Sequence, residues 1–321
     1  MLRTLSFALA GLWLLAGPAQ AQSNYPARPV RIVVPSPPAG GTDIIARVLA
    51  QHFSTAFGQQ FFVENRPGAG NMIGIESVAR DAPDGYTLLF VPSTLALNSV
   101  MYKKVSYDPV RDFTPITLAA AANNVLIVNP SVSAKTLVEL IALAKQKPGQ
   151  LTYGTPGIGT SPHMCTELLK SMAGIDLQHI PYRGTAPAMT DVISGQISAM
   201  FANALTAKPQ IDSGAVRALG VSGRKRSAAM PAIPPIAEAG VPDYEATQWY
   251  GLVAPAGTPA DVIVRLHAEV TRALKAPDMI EKLASDGAEP VGTTPSEFAA
   301  HIKNELEKWT KVARAAKIEP Q

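Results

Sequence analysis

Leu151–Lys170, LTYGTPGIGTSPHMCTELLK, is the stretch whose reading decides the fold. Its first residues suit a short strand, its middle is a run of Gly, Thr, Ser and Pro, and its end favours a helix. Ser161 before Pro162 is a helix-start signal, because serine caps free amides and proline suits the first helical position. Thr155, Gly157, Gly159, Thr160 and Ser161 then stand where backbone N–H groups converge on the positive end of a helix dipole. Such a place attracts an anion.

The same order of strand, glycine loop and helix occurs earlier. VRIVV, from Val30, reads as a buried strand, PSPPAGG as a tight loop and TDIIARVLAQHF as a helix with Ile44, Ile45, Val48, Leu49 and Phe53 at helical spacing. Two such units in one chain predict two lobes that face each other across a ligand.

Bulk properties fit an exported protein. Arg3, the apolar run Leu5–Ala16 and Ala19-Gln20-Ala21 have the form of a cleavable signal peptide, residues 1–21, with cleavage after Ala21. The apolar run is short for a membrane span. The 321 residues exceed what one core usually holds. A net charge of +3 with 17% charged residues lacks the basic face of a nucleic-acid binder, so no nucleic acid is expected as partner. Cys165 is the single cysteine, so no intramolecular disulfide is possible, and its simplest reading is a small buried core residue.

Strand-like runs at Val30–Val34, Phe61–Glu64 and Tyr86–Val91 alternate with helices over Thr42–Phe53 and Asn71–Ala79, which argues for an α/β lobe with a largely parallel sheet. Ser93, Thr94 and Asn98 follow the third strand, and ligands of open α/β sheets bind beyond the carboxyl ends of strands; turn capping is the competing explanation. Phe113–Leu118 and Val125–Val128 are further strands, with a first passage between lobes near Ala120–Asn124. A capping box, Thr136 with Glu139, begins the helix Leu137–Lys145. Strands at Leu177–Ile180, Ile197–Phe201 and Val216–Val221 follow, and Asn203 stands at a strand's carboxyl end, where it can face the cleft. Ala229–Pro242 reads as an extended connection, Gln248–Ala254 as the second passage, and Ala260–Leu274 and Pro277–Ser285 as helices. The division is then 22–123 with 247–321 for lobe 1 and 124–246 for lobe 2. The last helix starts at a capping box, Thr294 with Glu297. Its apolar face, Phe298, Ile302, Leu306, Trp309 and Val312, is expected to pack onto lobe 1.

Enzymatic chemistry has little support. His52, His163, His179, His267 and His301 show no metal-ligand pair, and Gly-Ile-Gly-Thr-Ser lacks the ending of a phosphate-binding P-loop. No catalytic residue, metal or cofactor is expected. His163 reads as a residue of the helix start.

The blocks VPSPPAGGTDIIAR, VENRPGAGNMIG, DAPDGYTLL, YDPVRDFTPIT, KPGQLTYGTPGIGTSPH, IPYRGTAPAMTDVISGQI and WYGLVAPAGTP, in this order and spacing, resemble the Bug-type substrate-binding proteins of the tripartite tricarboxylate transporter family. The resemblance runs through nearly all of the mature chain. It implies a two-lobed α/β periplasmic-binding-protein fold of type II, with two crossover strands and a cleft that closes on a small carboxylate. It implies that the loop Pro35, Ser36, Ala39, Gly40, Gly41, Thr42 and Asp43 wraps the ligand, while Thr155–Ser161, with His163 nearby, grips a carboxylate from the facing lobe. It further implies a periplasmic monomer whose partner is a membrane permease of the tripartite tricarboxylate transporter type. The alternative is a ligand sensor that engages a membrane sensor kinase. Related chains often carry an aromatic residue where Ser36 stands and a glycine where Ala39 stands. Dicarboxylates, tricarboxylates, acidic amino acids and aromatic acids are therefore all candidates, with an aromatic acid suggested by the Ser36 departure.

Overall fold

A computed structural model describes residues 25–320 apart from 39, 40, 183, 228, 229 and 286. The signal peptide with its cleavage after Ala21, and Ala39 and Gly40 of the first loop, lie outside the described residues.

In chain order the first elements are β1 (Val30–Val34), α1 (Gly41–Phe57), β2 (Phe61–Asn65), α2 (Met72–Ala79), β3 (Thr87–Pro92), α3 (Thr94–Met101) and β4 (Phe113–Ala122). Next come β5 (Asn124–Val128), α4 (Leu137–Gln146), β6 (Thr152–Thr155), α5 (Ser161–Ala173), β7 (Gln178–Pro181), α6 (Thr185–Ser194), β8 (Ala199–Asn203), α7 (Ala204–Asp212) and β9 (Arg217–Val221). The chain ends with β10 (Gln248–Pro255), α8 (Ala260–Ala273), α9 (Pro277–Ser285), β11 (Ala288–Pro290) and α10 (Pro295–Ala315).

Two sheets result. The first has the order β11-β4-β10-β3-β1-β2 and the second β7-β6-β8-β5-β9. Strands β2, β1 and β3 run parallel, as do β7, β6 and β8, while β10 and β4 are antiparallel to each other. The fold is the expected two-lobed α/β arrangement. Asn123 alone separates β4 of the first sheet from β5 of the second, and the chain returns between β9 and β10. The two passages are hydrogen-bonded to each other: Ser222 donates its amide to the Asn124 carbonyl at 2.8 Å, and the Asn124 amide donates to Ser222 Oγ at 2.9 Å.

Both faces of each sheet are buried. On β10, Tyr250, Leu252 and Ala254 join the core beneath α1 and α8, while Trp249 and Val253 join the core of the opposite face, as a period of two requires. Gly251 lies directly under Phe298 of α10, where a Cβ would come within 2.2 Å of the ring.

The last helix departs from its expected place. Phe298 and Ile302 pack into the first sheet's core, but Trp309 and Val312 join the second sheet's core with Leu168, Leu169 and Tyr244. The physical reason is length: 21 residues at 1.5 Å each extend about 30 Å, enough to reach both lobes. Helix α3 does likewise, with Leu95 and Ala96 in the first core and Leu97 and Met101 in the second.

Candidate functional site

The loop that opens the sequence argument folds as strand β6, turn and helix α5, with one correction. Thr160, not Ser161, is the N-cap residue, and it makes no side-chain capping bond; Ser161 is the first helical residue, with Pro162 behind it. Ser161 Oγ accepts instead from Asn124 Nδ2 at 2.9 Å, which ties the helix start to the first passage between lobes.

Internal hydrogen bonds shape this loop. Thr155 Oγ1 accepts the Gly157 amide at 3.3 Å and lies 2.7 Å from His179 Nε2, and Thr160 Oγ1 donates to the Gly157 carbonyl at 2.8 Å. Gly159, at φ 76°, donates its amide to His163 Nδ1 at 3.1 Å. The His163 ring stacks on His179 at 4.3 Å between centroids, and His179 stacks on Tyr153 at 4.8 Å. Burial, with smaller contributions from His179 and Lys170, pushes the His163 pKa down to about 3. His163 is thus a neutral acceptor that fixes the loop from beneath.

Across from it, residues 68–71 form a turn in which all four φ angles are positive. Asn71 ends this turn at φ 78° as the N-cap of α2, without a side-chain capping bond, and its Nδ2 donates to Thr94 Oγ1 at 3.0 Å. Asn98 Nδ2 donates to the Gly70 carbonyl at 2.8 Å. Ser93, Thr94 and Asn98, expected directly after the third strand with turn capping as the competing explanation, lie at the N-cap and inside helix α3.

Turn and loop enclose a cavity of about 140 Å³ between the lobes, lined by Gly70, Asn71, Thr94, Asn98, Met101 and Tyr102 on one side and Ile158, Gly159 and Thr160 on the other. None of these lining residues is Asp, Glu, Lys, Arg or His. An anion held here meets amides, hydroxyls and helix dipoles, with Met101 and Ile158 as apolar lining, and no charged side chain. Larger hollows of about 430 and 480 Å³ lie elsewhere: one at the amino ends of β1 and β3, where Arg31 pairs with Glu64 and Asp81, the other a groove between α5 and α10. Neither occupies the carboxyl-end position where open α/β sheets take ligands.

Three helix starts meet at the cavity: α2 at Asn71, α3 at Ser93 and Thr94, and α5 at Thr160, and none of the three caps makes a side-chain capping bond. Thr136, Asn203 and Thr294, which begin α4, α7 and α10, do make one. Residues of the same chemical type therefore cap away from the cavity, whereas beside it their side chains bond elsewhere and first-turn amides keep backbone acceptors, Met72 donating to the Ala69 carbonyl and Ala96 to that of Ser93.

Of the residues singled out from sequence, Thr94, Asn98, Gly159 and Thr160 line the cavity. Asp43 is buried and holds the first loop, accepting from Asn65 Nδ2 at 2.8 Å and pairing with Arg47 at 2.9 Å. Asn65 Nδ2 also donates to the Ser36 carbonyl at 3.1 Å. Pro35 and Thr42 are buried; Ser36 and Gly41 are half-buried. Ser93 Oγ donates to Gln248 Oε1 on β10 at 3.1 Å, so it fastens α3 to the second passage. Asn203 accepts from the Thr206 amide at 2.9 Å and from its hydroxyl at 2.7 Å, serving as a cap for α7, a helix that sequence reasoning missed. Gly70, Asn71, Met101, Tyr102 and Ile158 were also missed. The spacing of Thr94, Asn98, Met101 and Tyr102 at i, i+4, i+7 and i+8 would have found two of them, had the helix been recognised.

A family model described as "Tripartite tricarboxylate transporter family receptor" matches residues 45–318. Protein BugT of Bordetella pertussis is 36% identical over 302 residues, covering 94% of this chain and 92% of that protein. Among solved structures, R. palustris Rpa4515 with adipate is similar at TM-score 0.77 and 36% identity, covering 92% of this chain and 100% of the other. MatC (Rpa3494) from Rhodopseudomonas palustris with bound malate is similar at TM-score 0.72 and 30% identity, covering 90% and 99%.

Proposed function

We propose, since the chain belongs to the tripartite tricarboxylate transporter family of receptors, that it captures a small carboxylate between its two lobes and presents it to a membrane permease of that transporter type. The observation that carries this reading is the convergence of three helix starts without side-chain caps on one interlobe cavity. Uncapped first-turn amides at the positive ends of helix dipoles are anion donors that need no charged side chain. Asn71, Thr94, Asn98, Gly159 and Thr160 contact the ligand. The loop Pro35–Asp43 covers it, and Ser93, Thr155, Gly157, Ser161 and His163 hold the contacting groups in place.

Lobe 1 comprises residues 22–123 and 247–321 and lobe 2 residues 124–246, with α10 reaching across. A ligand touching Asn71 and Thr94 from one lobe and Thr160 from the other gains contacts that exist only when the lobes are together. That difference in affinity shifts the population toward closure. The protein works in the periplasm after removal of residues 1–21, acts as a monomer, and releases its ligand unchanged. The adipate and malate of the two solved relatives put short dicarboxylates first among the candidates.

The test is a thermal-shift panel of dicarboxylates, tricarboxylates, acidic amino acids and aromatic acids on protein beginning at Gln22. A ligand at 100 times its dissociation constant adds about 2.7 kcal/mol. A hit among the carboxylates that Thr160→Val and Asn98→Ala both weaken is the expected result. Folded, ligand-free protein that responds to no carboxylate would reject the reading.

A further inference from the structure

Resting on the capture reading, the cavity also carries information on the body of the ligand. Thr94, Asn98, Met101 and Tyr102 line it from one face of α3 and its C-cap, a run of about 10 Å from Thr94 to Met101 at 1.5 Å per residue. Part of the polar capacity along the residue 70–71 turn is used internally. Asn71 Nδ2 donates to Thr94, and Asn98 Nδ2 donates to the Gly70 carbonyl. The Tyr102 hydroxyl lies against Gly70, where an added Cβ would come within 2.5 Å of it.

The end of the cavity where Met101 of α3 meets the facing loop has another character. Met101 is only 3% exposed, and Ile158 presents 47% of its surface. Gly159 brings the loop so close that a Cβ there would sit 3.3 Å from Met101 Cγ. Thr160 adds the one polar side chain among the described lining residues of the facing loop, and its hydroxyl donates to the Gly157 carbonyl at 2.8 Å.

We propose that Met101 and Ile158 make the site selective for carboxylates with an unsubstituted hydrocarbon body over those that carry hydroxyl groups along the chain. A hydroxyl turned toward this apolar end gives up water without gaining a partner, while the donors that remain on Asn71, Thr94 and Asn98 are the ones that hold the carboxylate. Adding a hydroxyl in an apolar pocket is worth roughly 10- to 100-fold in discrimination.

The experiment is calorimetric titration of the mature chain with matched pairs, succinate against malate and adipate against 3-hydroxyadipate. The unsubstituted member of each pair binds at least about tenfold more tightly. Ile158→Thr, at an exposed position that leaves folding intact, narrows both ratios, and Met101→Gln does the same where melting shows it folded. Equal affinities within the pairs, or tighter binding of the hydroxylated acids by the unsubstituted chain, overturn the inference. A ratio that survives Ile158→Thr removes the role from this apolar end. If none of the four acids binds while an amino acid or aromatic acid does, the selectivity claim falls and capture stands. If nothing in the wider panel binds, the capture reading falls with it.

Discussion

Gly159 donates its backbone N–H to Nδ1 of His163 at 3.1 Å, so the imidazole beneath the loop is an acceptor at that nitrogen and carries its proton on Nε2. Protonating Nδ1 would break this bond inside a buried stack, which is why burial holds the pKa near 3. The sign follows from linkage. Between about pH 3 and 6.5 the unfolded chain binds a proton that the folded chain refuses, so stability is complete above 6.5 and falls as the pH drops toward 3. The loss from this group is at most about 1.4 kcal/mol per pH unit. His179, whose pKa burial also lowers, adds a loss of the same sign. His163→Phe keeps a ring in the stack but neither accepts nor titrates. Urea unfolding of both proteins at pH 7.5 and 4.5 is expected to show a stability gap that narrows at the lower pH; an unchanged gap would contradict the assignment.

Thr94 Oγ1 accepts from Asn71 Nδ2 at 3.0 Å while lining the cavity. Thr94→Val preserves shape and removes the hydroxyl. Its folding cost is expected to be about 1 kcal/mol, the usual net value of one hydrogen bond. Affinity for the carboxylate proposed as ligand is expected to fall about tenfold, because both the hydroxyl and the orientation of the Asn71 turn are lost. Calorimetry beside a melting curve separates the two effects, and unchanged affinity would place Thr94 outside the site.

The two strand, glycine-loop, helix units were legible because hydrophobic runs, glycine and N-terminal proline act locally. The two-lobed fold followed from repeating that unit. Position in space was less legible. Ser161 looks like a cap in sequence, yet Asn124, brought beside it by the crossover between sheets, takes its hydroxyl. Asn203 reads as a cleft residue at a strand end, yet α7 begins immediately and uses it as a cap. That helix is hidden by the internal Pro209 and a weak apolar stripe. Helix α3 has only eight residues and follows a strand directly, so the stripe of Thr94, Asn98 and Met101 gives little periodic signal in sequence. The reach of α10 into both cores could not be seen in its apolar face, since periodicity gives a face but not its partners.

Cys165 is fully buried, donates to the Ala246 carbonyl at 3.3 Å and has its thiol pushed up to about 11 by burial. The helix start nearby does not activate it. The folded protein is expected to stay unlabelled by a maleimide or an aromatic disulfide at pH 7.5 and to react stoichiometrically in denaturant. Rapid labelling of the folded protein would mean that the joint between the passages opens far more readily than its packing implies.

Glu305 accepts the indole N–H of Trp249 at 3.2 Å and that of Trp309 at 2.8 Å on the same carboxylate oxygen, while its other oxygen pairs with Lys308. Trp249 belongs to β10 and Trp309 to the half of α10 that packs on the second lobe, so a single carboxylate, 5% exposed, joins the returning passage to the helix that spans the lobes. Glu305→Ala leaves two buried indole donors without an acceptor and a partly buried ammonium without its partner. The expected loss is about 3 kcal/mol, at the lower end of the range for breaking a buried pair because Lys308 retains some solvent. Glu305→Gln keeps an acceptor oxygen for the indoles and is expected to lose about 1 kcal/mol. The third tryptophan is Trp13, so protein beginning at Gln22 contains only these two indoles, and its emission reports on this joint alone. Chemical unfolding followed by that emission gives the stabilities directly. The native spectrum of Glu305→Ala should also shift, whereas that of Glu305→Gln should stay close to the original. Equal stability of all three proteins would mean that packing of the two rings, rather than their shared acceptor, holds the joint.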